Sequence, residues 1–497
     1  MRSLILGCAA VVTLAAQTEA APPPTPAILA PPAFPGAAVR PYVRVNAKTV
    51  VLRNVRVIDG TGAPAQAQRT IILEDGRIRT VGPASLGAPA GATVLDLAGH
   101  TVLPGLVGMH DHMYYIARPN MDAEGHSEAP LLVPQMTFSS PRLYLAAGVT
   151  TIRTTGSVEP YADLNVKRMI DAGELVGPHM DVTGPYLEGA TSPFIQMNRL
   201  RGPEDARRMV TYWADQGVTS FKAYMNISRA ELGAAIQEAH SRGLKITGHL
   251  CSVTYPEAAE LGIDNLEHGF FVNTQLDPGK RPDVCSAGTG TPTLQAMTPQ
   301  SPEAQALIRL LVQRKVAITS TLPVFEQSVP GHAPLNAMAM AVLTPQAREA
   351  YLYARNLRNT PPRERFATQA NNFRNAMALE REFVRQGGVL IAGPDPTGNG
   401  GVIPGFGNHR NLELLVEAGF TPEEAIKIAT LNGATYLGLA DRIGSIAPGK
   451  NADLLVVRGD PSKAIGDIGN VEIVFKDGVG YDSGRLLESV RGRYGQY

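Results

Sequence analysis

Apolar residues fall into two textures along this chain. Towards each end the apolar runs are short and separated by turn residues: Val50-Val51-Leu52, Val55-Arg56-Val57-Ile58, Thr70-Ile71-Ile72-Leu73 and Thr93-Val94-Leu95 early, Ala452-Asp453-Leu454-Leu455-Val456-Val457 and Val471-Glu472-Ile473-Val474-Phe475 late. Such runs predict β-strands, with hairpin turns at Glu74-Asp75-Gly76 and Lys476-Asp477-Gly478. In between, apolar runs recur at 102–112, 149–155, 180–184, 219–225, 244–250, 264–270, 316–322 and 389–395, several followed by helix signals. Ser228-Arg229-Ala230-Glu231 is a capping box, and Thr421-Pro422-Glu423-Glu424 is another with Pro at the first helical position.

Eight strand–helix units predict an α/β fold: a (β/α)₈ TIM-like barrel over 105–440. The two strand-rich ends, 44–104 and 441–483, predict one small β-sandwich domain built from both, followed by a tail over 484–497. An open doubly wound sheet is the competing architecture, but it needs a Gly-rich phosphate loop after the first strand, and none is there. The stretches 273–302 and 329–365 exceed ordinary strand-to-helix loops and are expected to lie over the catalytic face of the barrel, shaping the substrate site.

The N-terminus changes the picture. Arg2 precedes an apolar stretch over 4–16 that ends at Thr18-Glu19-Ala20, which reads as a secretory signal peptide over 1–20. The stretch is too short to span a bilayer comfortably. The Ala/Pro-rich segment 21–43 reads as a linker. Export to the periplasm or beyond is therefore expected, with no stable membrane insertion. Two cysteines, Cys251 and Cys285, remain after cleavage and permit either one disulfide or two buried thiols. A bond is the expectation, because Cys285 lies in the insertion after strand six, next to the strand that carries Cys251. Lys+Arg and Asp+Glu both number 45, so net charge gives no hint of a nucleic-acid partner.

The candidate chemistry sits at the ends of the apolar runs. His110 and His112 close the first; alternate residues of a strand share a face, so both imidazoles should converge while Asp111 points away. Lys222 lies on the fourth run, His249 ends the fifth, His268 the sixth and Asp395 the eighth. In a barrel these strand ends meet at one mouth. His100, His126, His179, His240 and His332 have no matching partner and read as surface or structural residues.

The order His-x-His, Lys, His, His, Asp resembles the amidohydrolase superfamily. The phrases Thr-Val-Leu-Pro-Gly-Leu-Val, Ala-Gly-Val-Thr-Thr-Ile-Arg, Asp-Asn-Leu-Glu-His-Gly and Ile-Ala-Pro-Gly-Lys-Asn-Ala-Asp-Leu-Leu resemble its imidazolonepropionase-like and prolidase-like branch. The resemblance implies two divalent metal ions, with His110, His112 and Asp395 on one, His249 and His268 on the other, and a carboxylated Lys222 bridging them. Imidazole and carboxylate ligands suit zinc. It also implies hydrolysis by a metal-bound hydroxide, with Asp395 as ligand and proton shuttle. His409 matches a histidine that relatives often carry after strand eight and is expected to face substrate. Pro394 beside Asp395 and Thr154-Thr155 after strand two depart from the family's usual residues, and imidazolonepropionase itself lacks such a lysine. The expected activity is cleavage of a C–N amide bond in a peptide-like or N-acyl small molecule, in the manner of a prolidase-like dipeptidase or carboxypeptidase. A cyclic-amide or xenobiotic amide/ester hydrolase on the same site is the alternative, and a non-catalytic metal- or solute-binding protein the remaining one. Oligomeric state is left open.

Overall fold

The computed structural model describes residues 27–30, 35–117, 131–133, 139–192, 197–360, 363–396 and 401–495. The signal peptide, most of the Ala/Pro-rich segment and His126 lie outside the described residues.

Strands from both chain ends share one nine-stranded sheet. The two contributions meet where His100–Pro104 pairs antiparallel with Leu454–Arg458, placing Leu103 opposite Leu455. The sheet's tight turns take the left-handed backbone that Asp-Gly favours: Asp75 and Gly76 have φ of 49° and 75°, Asp477 and Gly478 of 51° and 80°. Successive residues face opposite sides of a strand. Leu454 and Val456 enter a core with Val50, Leu52, Ile71 and Phe475. Leu455 and Val457 enter the core of the larger domain. Burial on both faces explains why this run reads as continuously apolar rather than alternating. The nine strands form one hydrogen-bonded ladder, with one set of side chains on a core of its own and the other set on the barrel side.

Each of the eight middle runs overlaps one parallel strand shorter than the run, His179–Asp181 starting one residue ahead of its run. Leu106–Gly108, Val149–Arg153 and His179–Asp181 form one sheet. Ser220–Ala223, Lys245–Gly248, Asn265–Leu266, Ala317–Ser320 and Leu390–Ala392 form the other. They do not run on as one closed ladder. Isolated backbone bonds span the gaps: Thr219 N donates to Val182 O at 2.8 Å and Gly184 N to Ser220 O at 2.9 Å on one side, and Met109 N to Ala392 O at 2.8 Å on the other. The result is a TIM-barrel-like domain beside a β-rich one. The capping boxes at Ser228 and Thr421 start helices Arg229–Ser241 and Pro422–Lys427.

Three expectations change. The Ala/Pro-rich segment is not wholly a free linker: Leu29 packs against Val107, Met109 and Ile391, and Val39 is also buried. The expected tail contains helix Ser483–Ser489 and is buried at Leu486 and Val490, whose four-residue spacing puts both on one helix face. The second insertion does not cap the catalytic face alone. Its helices Ala337–Val342 and Pro345–Arg358 pack with that tail, Leu343 and Tyr351 meeting Val490 and Tyr494.

Candidate active site

His110 and His112 stand just beyond strand Leu106–Gly108, in a segment still bonded to both neighbouring strand segments: Asp111 N donates to Arg153 O at 3.1 Å on one side, and Asp395 N donates to His110 O at 3.0 Å on the other. The second contact is a close backbone approach. Gly393 permits it, because a Cβ there would stand 2.1 Å from His110 N. Asp395 and His268 both hold left-handed backbone, with φ of 58° and 69°. This conformation is costly for residues with a side chain and tends to gather at functional sites.

Around Asp395 the site closes tightly. Its Oδ1 lies 3.2 Å from His112 Nε2 and 3.6 Å from His110 Nε2, and its Oδ2 lies 3.9 Å from His268 Nδ1. Lys222 Nζ is 3.2 Å from His110 Nε2. The His249 and His268 rings meet edge-on with centroids 4.4 Å apart. The structure thus brings the six residues singled out in the sequence into one cluster.

Burial governs the protonation of this cluster. Desolvation and the nearby Lys222 bring His110 down to about 4, and burial holds His249 and His268 well below the usual imidazole value. Desolvation brings Lys222 down to about 8 against the opposing pull of Glu267 and Asp395. Burial alone would raise Asp395; the facing imidazoles, His110 first, outweigh it and keep the carboxylate ionised. Near neutral pH the histidines are uncharged, with lone pairs to give.

This donor set fits divalent metal. One ligand atom each from His110, His268 and Asp395 lies within 4.8 Å of the others. Neutral imidazoles grouped with a carboxylate are zinc-type ligands.

Five supporting residues escaped the sequence reading: Glu267, Arg153, Thr247, Asn265 and Thr321. Glu267, fully buried, accepts from His110 Nδ1 at 2.7 Å through Oε2 and from Arg153 Nη2 at 2.8 Å through Oε1; Thr247 Oγ1 also bonds it. Glu267 thereby fixes the His110 tautomer that leaves Nε2 facing the cluster. Arg153 also donates to Met109 O at 2.6 Å and Asn265 Oδ1 at 2.8 Å. Thr321 Oγ1 pairs with His268 Nδ1 at 2.9 Å. Alternation along Asn265-Leu266-Glu267 signals that Asn265 and Glu267 share a face, but not what they meet. Asp111 does point away from the cluster, to Asn408 Nδ2 at 3.2 Å.

His409 is not part of the cluster. It is buried, and its Nε2 donates to Ala147 O at 2.7 Å, a bond that holds its helix against the preceding segment. It lines a separate cavity of about 820 Å³ near Glu326 and Arg410. The structure therefore places His409 on that cavity's wall and outside the cluster. Of the remaining described histidines, His100 pairs with Glu472, His179 with Asp477, His240 with Asp264, and His332 with Glu326 and Glu417.

The cavity that does reach the cluster holds about 770 Å³ and is walled by His249, Tyr224, Phe271, Phe325 and Phe373 among others. Val272, Thr289, Thr291 and Leu294 extend it, so the first insertion shapes this space. Cys251 and Cys285 are joined in a disulfide, with Cα atoms 4.8 Å apart, tying that insertion to the segment two residues past His249.

A sequence model of the amidohydrolase family matches residues 362–480. Over 462 residues the chain is 23% identical to an enamidase from Eubacterium barkeri, covering 87% of this chain and 94% of that one. A putative prolidase from Bifidobacterium longum superposes with a TM-score of 0.61 at 23% identity, covering 89% of this chain and 99% of the other. A Xaa-Pro dipeptidase with bound methionine gives 0.63 at 19% identity, covering 87% and 100%. These structural likenesses carry the fold.

Proposed function

We propose that the chain is an amidohydrolase, and specifically an exported, metal-dependent hydrolase of amide C–N bonds in peptide-like or N-acyl substrates, in the manner of a prolidase-like dipeptidase or carboxypeptidase; the family match over residues 362–480 and the likeness to the enamidase support this reading. His110, His112 and Asp395 would hold one divalent ion, zinc by its ligand chemistry, and His249 and His268 the second, with carboxylated Lys222 between them. Bound ions of this kind polarise a carbonyl and acidify water.

The observation that carries the reading is Lys222. A lysine that stays a free ammonium has no lone pair and would repel paired cations. Here burial lowers its pKa to about 8, so the neutral amine is accessible near neutral pH. A neutral amine adds to CO₂: the Nζ–C bond forms, one N–H proton goes to solvent, and the product is an anionic carbamate with two ligand oxygens. Asp395, ionised and 3.2 Å from His112, would take a proton from the attacking water and return it to the leaving nitrogen. The Cys251–Cys285 bond supports export, since such bonds persist in oxidising compartments.

The test is metal content per chain with a screen of dipeptides and N-acyl amino acids. Wild type should carry about two divalent ions and hydrolyse members of the set, by the two-metal logic. Lys222→Ala should lose metal and activity together, with partial rescue by a small carboxylic acid. Full metal content and full turnover in Lys222→Ala would overturn the assignment.

A further inference from the structure

The cavity beside His249 carries a substrate preference. Its wall among the described residues contains no Asp, Glu, Lys or Arg. Phe271 and Phe325 stack with ring centroids 3.9 Å apart and planes 4° from parallel. Phe373 stands 6.1 Å from Phe271. The Phe325 ring also meets the His268 ring at 5.5 Å, edge to face. This aromatic wall therefore begins one ring away from a histidine of the candidate metal cluster. Leu294 and Val272 extend the apolar surface, and the disulfide fixes the segment that supplies Leu294.

A charged group entering this space would lose its water and find no opposite charge on the described wall residues, a cost that neutral groups avoid. A flat apolar group would gain both burial and ring contact. The polar side chains that remain on the described wall are hydroxyls, amides and the His249 imidazole.

We infer that the substrate places a bulky, neutral apolar group, aromatic by preference, in the pocket of Phe271, Phe325 and Phe373, immediately beside the scissile amide, and that neither a free carboxylate nor a free ammonium lies in this pocket. The inference rests on the amide-hydrolase reading for the words "scissile amide"; the pocket's ligand preference stands apart from it. Selectivity then resides in residues contributed by the segments after strands six and seven and by helix Arg363–Arg385, while the strand ends carry the reaction.

The test separates the two. Binding of N-acetyl-phenylalaninamide, and of its glycine, lysine and aspartate counterparts, is measured by calorimetry on metal-loaded Asp395→Asn protein. The phenylalanine probe should bind about 10-fold or more tighter than each of the others, as burial of one aromatic side chain supplies. Adding Phe325→Ala or Phe373→Ala should bring the phenylalanine and glycine probes to within about 3-fold of each other. Should either variant fail to fold, Ser328→Arg at the exposed rim should make the aspartate probe bind better than the lysine probe. Equal binding of the phenylalanine and glycine probes, tighter binding of a charged probe, or a preference untouched by every variant would overturn the inference. If wild type hydrolyses none of the four while the binding order holds, the amide-hydrolase reading falls and the pocket assignment stands.

Discussion

Glu267→Gln isolates a carboxylate that touches neither substrate nor the cluster's open side. The substitution keeps volume and shape but removes a buried negative charge. Glu267 is 0% exposed and Arg153 1% exposed, and they meet at 2.8 Å. Breaking a buried pair by removing one charge costs about 3–5 kcal/mol. Arg153 keeps its bonds to Met109 O and Asn265 Oδ1, so the lower end, about 3 kcal/mol, is expected. His110 loses the anionic acceptor that fixes its tautomer, which should weaken metal affinity about 10–100-fold. The pH dependence has a definite sign. Burial would raise the Glu267 pKa, but Arg153 and His110 outweigh it and hold it below the usual carboxylate range. A depressed carboxylate contributes stability above its unfolded pKa of about 4.3 and loses it as pH falls towards the folded value. The gap between wild type and variant should therefore be full at pH 7 and shrink in acid. Thermal melts of metal-free protein across this range, with chelator competition for metal at pH 7, measure both effects. Unchanged melting temperature together with unchanged metal affinity at pH 7 would refute the reasoning.

Glu380 is buried, with its pKa raised to about 8 by desolvation against one bond from Ser320. The folded state binds its proton more tightly than the unfolded chain, so this residue makes stability fall as pH rises from about 4.5 to 8. Glu380→Gln should melt higher than wild type at pH 8–9 and show little difference at pH 5; parallel melting curves at every pH would count against it. His409→Ala should lower stability by about 1–2 kcal/mol, because Ala147 O loses its donor. Its kcat/KM on any hydrolysed substrate should stay within about 3-fold of wild type, and a 100-fold fall would return His409 to the substrate site.

The fold was legible where local pattern and tertiary role coincide. Seven of the eight barrel strands lie inside an apolar run, and His179–Asp181 overlaps one, because both strand faces are buried; the Ser228 and Thr421 caps act over three residues. The six cluster residues were legible because their types and order resemble a known family. Contacts between distant segments were not. Glu267 reaches His110 across the barrel, 157 positions away in sequence. No periodicity encodes that pairing, and a glutamate next to His268 suggests the wrong partner. His409 shows the converse: its place in the sequence matched a family residue, while the contact that decides its role is a backbone carbonyl on another segment. Leu29 was hidden by composition, since one leucine among alanines and prolines does not announce a docking residue.

The sheet shared by both chain ends has a consequence in time. Leu103 and Leu455 are neighbours in that sheet, but the ribosome makes them far apart. At about 5–20 residues per second, the roughly 350 residues between them take about 20–70 s to emerge. Throughout that interval the strand His100–Pro104 lacks its antiparallel neighbour, and an unpaired apolar edge invites pairing with other chains. The barrel side also lacks Leu455 and Val457 from its core until then. A polypeptide that stops short of residue 454 therefore leaves two cores open at once, which makes the last tenth of translation the step that decides between a finished molecule and an aggregate.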